Sequence, residues 1–415
     1  MKRLTSMMKL MVCAASMATL VHGAPLRVYI LAGQSNMQGK AAWYVLPGLA
    51  DDPATRHLHE KFVDENGEPR ISKDVYVAAI SDGPSEKNGP LTIGFGNTLG
   101  GNLKDRGKHA MCWGPEWGFG VTLHEKLREP ILIIKTSWGG KSLNTDFRSP
   151  SAGAYTYGED VLEGLVKRSG KTKEEIIAEK AEKTGHYYRL MVEQVKKVLA
   201  DPGAFHPAYD PKQGVEIAGF VWFQGWNDQG DKNTYPGDGP ERFAPYTELL
   251  THFIRDARKD LNAPDMPFVI GVMGNGNPDF RPAMAAPASL PQFKGNVVAV
   301  HTETYVDPKL NELVDRSWRW MRPAWDPEKK YTDLREKLLP LQKEMDGLKN
   351  LEDQKERARR HYQLKDQMEA ISYTPEEIDY LKKNRSSQGY HYNGSPKFFA
   401  RVGEAFAKAL LELSE

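Results

Sequence analysis

The chain has 415 residues but only two cysteines, Cys13 and Cys112. Cys13 falls inside an N-terminal apolar run that reads as a cleaved leader, so Cys112 would stand alone in the mature protein and no intramolecular disulfide can form. With 40% hydrophobic residues, a chain of this length has core enough to do without one. Neither sign of charge is in excess: 56 Lys and Arg against 55 Asp and Glu give a formal net charge of +1. That balance removes the electrostatic argument for nucleic acid, a polyanion or an anionic membrane surface as partner. Basic residues are interleaved with acidic ones, as on solvated helix faces. The chain also lacks HExxH and CxxC spacings and a Gly-rich phosphate loop, so no cofactor or metal is called for.

Long hydrophobic runs are scarce as well. The leading one, residues 10–21, is shorter than the roughly 20 residues a membrane span requires. Lys2, Arg3 and Lys9 precede it, and Val21 and Gly23 are small enough for the −3 and −1 cleavage positions. This is the pattern of a signal peptide over residues 1–23, leaving a mature chain of 24–415 that is secreted or periplasmic and has no membrane contact after cleavage. Val12 before Cys13 argues against a lipid-modified cysteine.

What the chain does contain is a set of apolar runs that stop abruptly at polar, glycine-bearing loops. Val28-Tyr29-Ile30-Leu31-Ala32 leads into Gly33-Gln34-Ser35-Asn36-Met37. Ile131-Leu132-Ile133-Ile134-Lys135-Thr136 leads into Ser137-Trp138-Gly139-Gly140-Lys141-Ser142, and Ile217-Ala218-Gly219-Phe220-Val221-Trp222-Phe223 into Gln224-Gly225-Trp226-Asn227-Asp228. These read as buried strands. Further strand-like runs at 75–80, 268–273 and 297–300 alternate with helical spacing at 117–127, 174–199, 243–261 and 396–413. The last of these should bury Phe399, Val402, Phe406 and Leu410. Such alternation predicts an α/β fold, a three-layer doubly wound parallel sheet. In that architecture ligands bind beyond the carboxyl ends of the strands, where Ser35 would stand with its hydroxyl and nearby backbone N–H groups facing outward. Near the C-terminus, Tyr390-His391-Tyr392-Asn393-Gly394 forms a polar loop before the final helix.

Ser, Gly, Asn and His thus occur in that order on loops at strand ends, and the chain resembles the SGNH hydrolase superfamily. The Gly-Gln-Ser-Asn-Met wording is similar to the sialate O-acetylesterase and acetylxylan esterase branch of carbohydrate esterases. The resemblance runs from about residue 26 to 413, insertions apart. It implies Ser35 as nucleophile, His391 as general base, and Gly140 and Asn227 as oxyanion donors together with the Ser35 N–H. The chemistry suits these residue types: a serine hydroxyl is a weak nucleophile until a base takes its proton, and the tetrahedral oxygen needs donors where its charge gathers. His57 and His59 lie in a polar loop, His124 in a helix, His186 and His361 in charged helical stretches; His391 fits the base better. With an ordinary imidazole, activity should rise as pH passes roughly 6 to 7.

The third triad member departs from the superfamily pattern. An Asp three residues before the His is usual, and position 388 is Gln; relatives can use a Glu after the Gln-Gly of the third block, and here that position is Trp226. Asp228 is the first choice for the orienting acid, with Glu303, Glu116 and a backbone carbonyl near Gln388 as alternatives. Trp113, Trp117, Trp138, Trp222 and Trp226 cluster near the blocks as core residues, one or two of them suited to stacking on sugar rings.

Residues 326–380 break the α/β plan. Charge is dense there, but Leu334, Leu338, Leu341, Met345 and Leu348 recur at the 4-3 spacing of a coiled-coil seam, and a second stretch near 352–370 can fold back on the first. This predicts a helical-hairpin insertion before the His391 loop, kinked at Pro340, serving as a rim, a lid, an oligomer contact or a solvated strut. The expected function is that of a serine esterase removing O-acetyl groups from carbohydrate through an acyl-enzyme. The alternatives are a non-catalytic carbohydrate-binding relative and a lipase- or thioesterase-type hydrolase of the same fold. The sugar and the oligomeric state are not legible.

Overall fold

The computed structural model describes residues 23–80, 86–97 and 111–414; the leader, apart from Gly23, lies outside the described residues. Nine strands are present among them: β1 (Leu26–Gly33), β2 (Ala41–Ala42), β3 (Val75–Ala79), β4 (Lys87–Pro90), β5 (Cys112–Trp113), β6 (Ile131–Ser137), β7 (Val215–Phe223), β8 (Phe268–Val272) and β9 (Val297–His301). Seven form one sheet in the order β4-β3-β6-β1-β7-β8-β9, while β2 and β5 make a small antiparallel pair. All pairings in the large sheet are parallel except β3 with β4.

The central strands carry apolar side chains on both faces because both faces are covered. On one side the helices Pro115–Leu127 and Pro396–Ser414 pack together. Their backbones come so close that a Cβ on Gly118 would lie 2.2 Å from the Ala400 carbonyl oxygen, and one on Gly403 would lie 2.1 Å from that of Pro115. Phe399, Val402, Phe406 and Leu410 are buried there, as their spacing requires. On the other side the helices His186–Ala200 and Ala244–Asp260 meet the sheet, with Phe253 lodged against Tyr188, Phe220 and Trp222. The result is the expected three-layer α/β sandwich.

One detail differs from expectation. The helical spacing at 174–199 is split into Lys173–Lys183 and His186–Ala200 by Gly185, which turns left-handed at φ +70°. Beyond β9 the helices Pro308–Arg319, Thr332–Gly347, Gln354–Ser372 and Pro375–Asn384 form a helical projection with its own small cores. Leu338 is buried with Trp320 and Tyr331, flanked by Leu334 and Met368; of the other seam positions Leu348 is buried while Leu334, Leu341 and Met345 are half-buried. The helix around Pro340 runs without interruption. The last helix of the group belongs to the body: it packs on residues 43–49, where a Cβ at Gly48 would meet the Lys383 carbonyl oxygen at 2.4 Å. Among the described residues no helix is long and apolar enough to cross a membrane.

Candidate active site

Register brings the first three blocks together. Gly33, the last residue of β1, pairs with Ser137 on one side and Phe223 on the other, so the loops that begin at Gln34, Trp138 and Gln224 leave the sheet at one level. After β6 the chain crosses β1 to reach β7, which makes this edge the topological switch point where such sheets bind ligands. Contact there is tight: a Cβ at Gly33 would lie 2.2 Å from the Phe223 carbonyl oxygen. Side-chain amides then bind the loops to one another. Gln34 Oε1 accepts from the Gly225 N–H (3.1 Å) and from Gln224 Nε2 (3.3 Å), and Gln38 Nε2 donates to the Ser137 carbonyl (3.0 Å).

Ser35 is the first residue of a one-turn helix, Ser35–Gln38, and only 8% exposed. Of the paired glycines, Gly139 abuts it: a Cβ there would stand 3.8 Å from Ser35 Cβ. Gly140, the residue the resemblance nominates, follows at φ +72° with open space around it. Asn227 is exposed on the one-turn helix Trp226–Gln229, and its amide makes no hydrogen bond among the described residues.

The fourth block arrives from far along the chain. Asn36 Nδ2, one residue past Ser35, donates to the carbonyl of Tyr390, one residue before His391 (3.2 Å). Asn275 Nδ2 donates to the Gly389 carbonyl (2.9 Å), and the Tyr392 hydroxyl accepts from the Gly274 N–H (3.0 Å), so the end of β8 holds the same loop. The Tyr390 ring lies against both Trp226 and His391, with centroids at 6.0 and 4.4 Å. Ser35 Oγ and His391 share no hydrogen bond among the described residues. Burial, with the Lys40 ammonium nearby, pushes the His391 imidazole down to about 4. The imidazole is therefore neutral from well below the pH 6 to 7 expected of an ordinary one.

Asp228 is not brought to His391. It is fully buried, and its two oxygens accept from the Leu143 N–H (2.8 Å), the Asn144 N–H (2.9 Å), Gln224 Nε2 (2.6 Å) and the Tyr235 hydroxyl (3.0 Å). Four donors fill a carboxylate's acceptor sites, so the role read from sequence is corrected: Asp228 clasps the loop that carries Gly139 and Gly140. Burial lifts its carboxyl to about 6 against the pull of those donors, which leaves it ionised at neutral pH. Glu116 is also buried, paired with Lys135 Nζ (2.6 Å) and the Gly114 N–H (2.9 Å), and Glu303 faces His301 (3.4 Å). The atom at His391 Nδ1 is Ser387 Oγ, 3.1 Å away.

Asp228→Asn should therefore behave as a loop mutation. An amide keeps one acceptor oxygen and turns its NH2 toward two donors, so roughly 2 kcal/mol of stability is lost, with a fall of about tenfold in turnover and no change in the titration of His391. A urea melt and an NMR titration check both; a collapse of several orders of magnitude in kcat without loss of stability would return Asp228 to the acid's role.

Three functional candidates were not picked out from sequence. Lys135 had a signal, a lone charge inside an otherwise apolar strand. Gln38 and Ser387 had none, because their partners lie far away in sequence or across a turn that only the folded loop defines.

A profile of the carbohydrate esterase family described as sialic acid-specific acetylesterase matches residues 25–310, a span that stops short of His391. No curated protein matches the chain in sequence. Among solved structures it is similar to a protein from Arabidopsis thaliana at 16% identity, covering 67% of this chain and 86% of that one, with a TM-score of 0.37. It is also similar to a carbohydrate acetylesterase from Xanthomonas citri at 13% identity and a TM-score of 0.35, covering 66% of this chain and 49% of that one.

Proposed function

The chain belongs to the carbohydrate esterases of the sialic acid-specific acetylesterase family, and from that premise we propose that it is a serine esterase that removes O-acetyl groups from carbohydrate outside the cytoplasm. The observation that carries this reading is the hydrogen bond from Asn36 Nδ2 to the Tyr390 carbonyl, which sets the residues flanking Ser35 and His391 side by side.

In the proposed reaction His391 Nε2 takes the Ser35 proton as Oγ bonds to the acetyl carbon. The oxyanion is met by the Ser35 N–H, by the backbone N–H groups of Gly139 and Gly140, and by the Asn227 amide. Ser35 opens its helix, so its N–H has no acceptor within that helix. His391 then returns the proton to the departing sugar hydroxyl as the C–O bond breaks, and water removes the acetyl group by the same route. Trp226 and Tyr390, packed against each other at the edge of this site, suit stacking on a sugar ring.

Release of acetate from a panel of acetylated glycans, with phosphonate labelling mapped to Ser35, tests the assignment. Labelling without acetate release from any glycan would leave an esterase of another substrate class, and no labelling would favour the binding relative that the lack of a carboxylate at His391 suggests. Asn227→Ala should lower kcat about 100-fold with little change in KM, since an oxyanion donor acts mainly in the transition state. An effect confined to KM would move Asn227 into ground-state binding.

A further inference from the structure

The imidazole of His391 has a hydroxyl where a serine hydrolase ordinarily places a carboxylate. Ser387 Oγ lies 3.1 Å from Nδ1, and among the described residues no acidic side chain is hydrogen-bonded or ion-paired to that ring: Asp228 and Glu116 are held by other donors, and Glu303 faces His301. The hydroxyl is delivered on a fixed backbone. The N–H groups of Ser386 and Ser387 both donate to the Asn393 carbonyl (2.9 Å each), and the Asn393 N–H donates to the Gln388 carbonyl (2.9 Å), so the loop closes around His391. Next door, Ser386 Oγ accepts from the Ala42 N–H (3.1 Å) and faces the carbonyls of Lys40 (2.8 Å) and Gly394 (2.9 Å), tying the loop to the segment that follows Ser35.

We propose that Ser387 is the positioning residue of His391, completing a Ser35–His391–Ser387 array whose third member is neutral. The inference rests on the reading of Ser35 and His391 given above. Proton transfer fixes the geometry it requires: for Nε2 to accept the Ser35 proton, Nδ1 must carry a hydrogen and donate it to Ser387 Oγ. A carboxylate can only accept, so it enforces that tautomer and supplies a counter-charge when the ring becomes an imidazolium. A hydroxyl can accept or donate, so it holds the ring in place with a weaker tautomer bias and no counter-charge. The surroundings add no anion. The charged group next to the ring is the Lys40 ammonium, and the Tyr390 ring covers one edge. The low proton affinity of His391, near 4, is what burial beside a cation produces when no acid stands opposite. An enzyme built this way keeps its base neutral in acidic medium and works there with a weaker base than an acid-supported histidine.

The test uses the whole mature chain, with ring-labelled histidine followed by NMR and His391→Gln assigning the resonance. In the wild type the imidazole should titrate near 4. Ser387→Asp introduces the missing counter-charge and should raise that midpoint by a unit or more, with the acidic limb of kcat following it. Ser387→Ala should lower kcat about tenfold at unchanged KM, and Ser387→Thr, which keeps the hydroxyl, should stay within a few-fold of wild type. An unmoved His391 midpoint in Ser387→Asp together with wild-type kcat in Ser387→Ala overturns the assignment. If Ser387→Asp does not fold, the Ala and Thr pair decides alone: equal kcat in the two overturns it. Full activity in His391→Gln would instead show that the reading of the site itself is wrong, a separate outcome.

Discussion

Replacing Ser35 by alanine is expected to reduce hydrolysis of an aryl acetate to near the uncatalysed background, a loss of about 10⁴-fold or more in kcat/KM. The effect should be chemical and not structural. Ser35 Oγ makes no hydrogen bond among the described residues, and its removal leaves the Asn36 and Gln38 bonds that hold the turn. The thermal midpoint should accordingly stay within a few degrees of wild type. Residual catalysis would come from the oxyanion donors acting on a water held by His391. Mass spectrometry after phosphonate treatment supplies the second readout, because the adduct on the Ser35 peptide should vanish with the hydroxyl. A variant retaining a tenth of the wild-type rate would place the nucleophile elsewhere, and with it the roles given to His391 and Asn227.

Much of this arrangement was legible before folding, and the reason is the parallel sheet. Strands buried on both faces must be apolar throughout, so β1, β6 and β7 stand out as runs. The abrupt polar ends of those runs mark the carboxyl edge, where Ser35, Gly140 and Asn227 are found. The loop that carries His391 was legible because it precedes a strongly amphipathic helix. What sequence does not carry is pairing between distant side chains. A carboxylate next to Asn227 reads as an acid for histidine, yet Asp228 spends its oxygens on Leu143 and Asn144, more than 80 positions away, and on Gln224 and Tyr235 nearby. Nothing in Ser386-Ser387 distinguishes a turn from a positioning pair until the left-handed residues Tyr392 and Asn393, at φ +51° and +60°, bend the loop back on itself. In the helical projection the leucine spacing marks packing, with Leu338 and Leu348 buried. The contact of helix Pro375–Asn384 with residues 43–49 joins segments with no sequence signal between them.

Lys135 supports the second large expected effect. Its side chain is 2% exposed, and its three hydrogens go to Glu116 Oε2 (2.6 Å), the Gln38 carbonyl (2.8 Å) and the Phe95 carbonyl (3.0 Å). Gln38 closes the one-turn helix that Ser35 opens, so its carbonyl has no helical partner and the ammonium supplies one. Lys135→Met keeps much of the volume but leaves Glu116 as a buried charge with only the Gly114 N–H, a situation that costs about 3–5 kcal/mol and should show as a large drop in the urea midpoint. Adding Glu116→Gln removes the stranded charge while keeping an acceptor for Gly114, and most of the stability should return, since exchanging both members of a buried ion pair for neutral groups is often close to neutral. Turnover should not return with it. The Gln38 carbonyl still lacks its donor, the Ser35 turn is less firmly held, and kcat should remain about tenfold low at unchanged KM. Recovery of stability and kcat together would reduce Lys135 to a filler of the core; recovery of stability alone identifies the ammonium as the post on which the Ser35 turn is set.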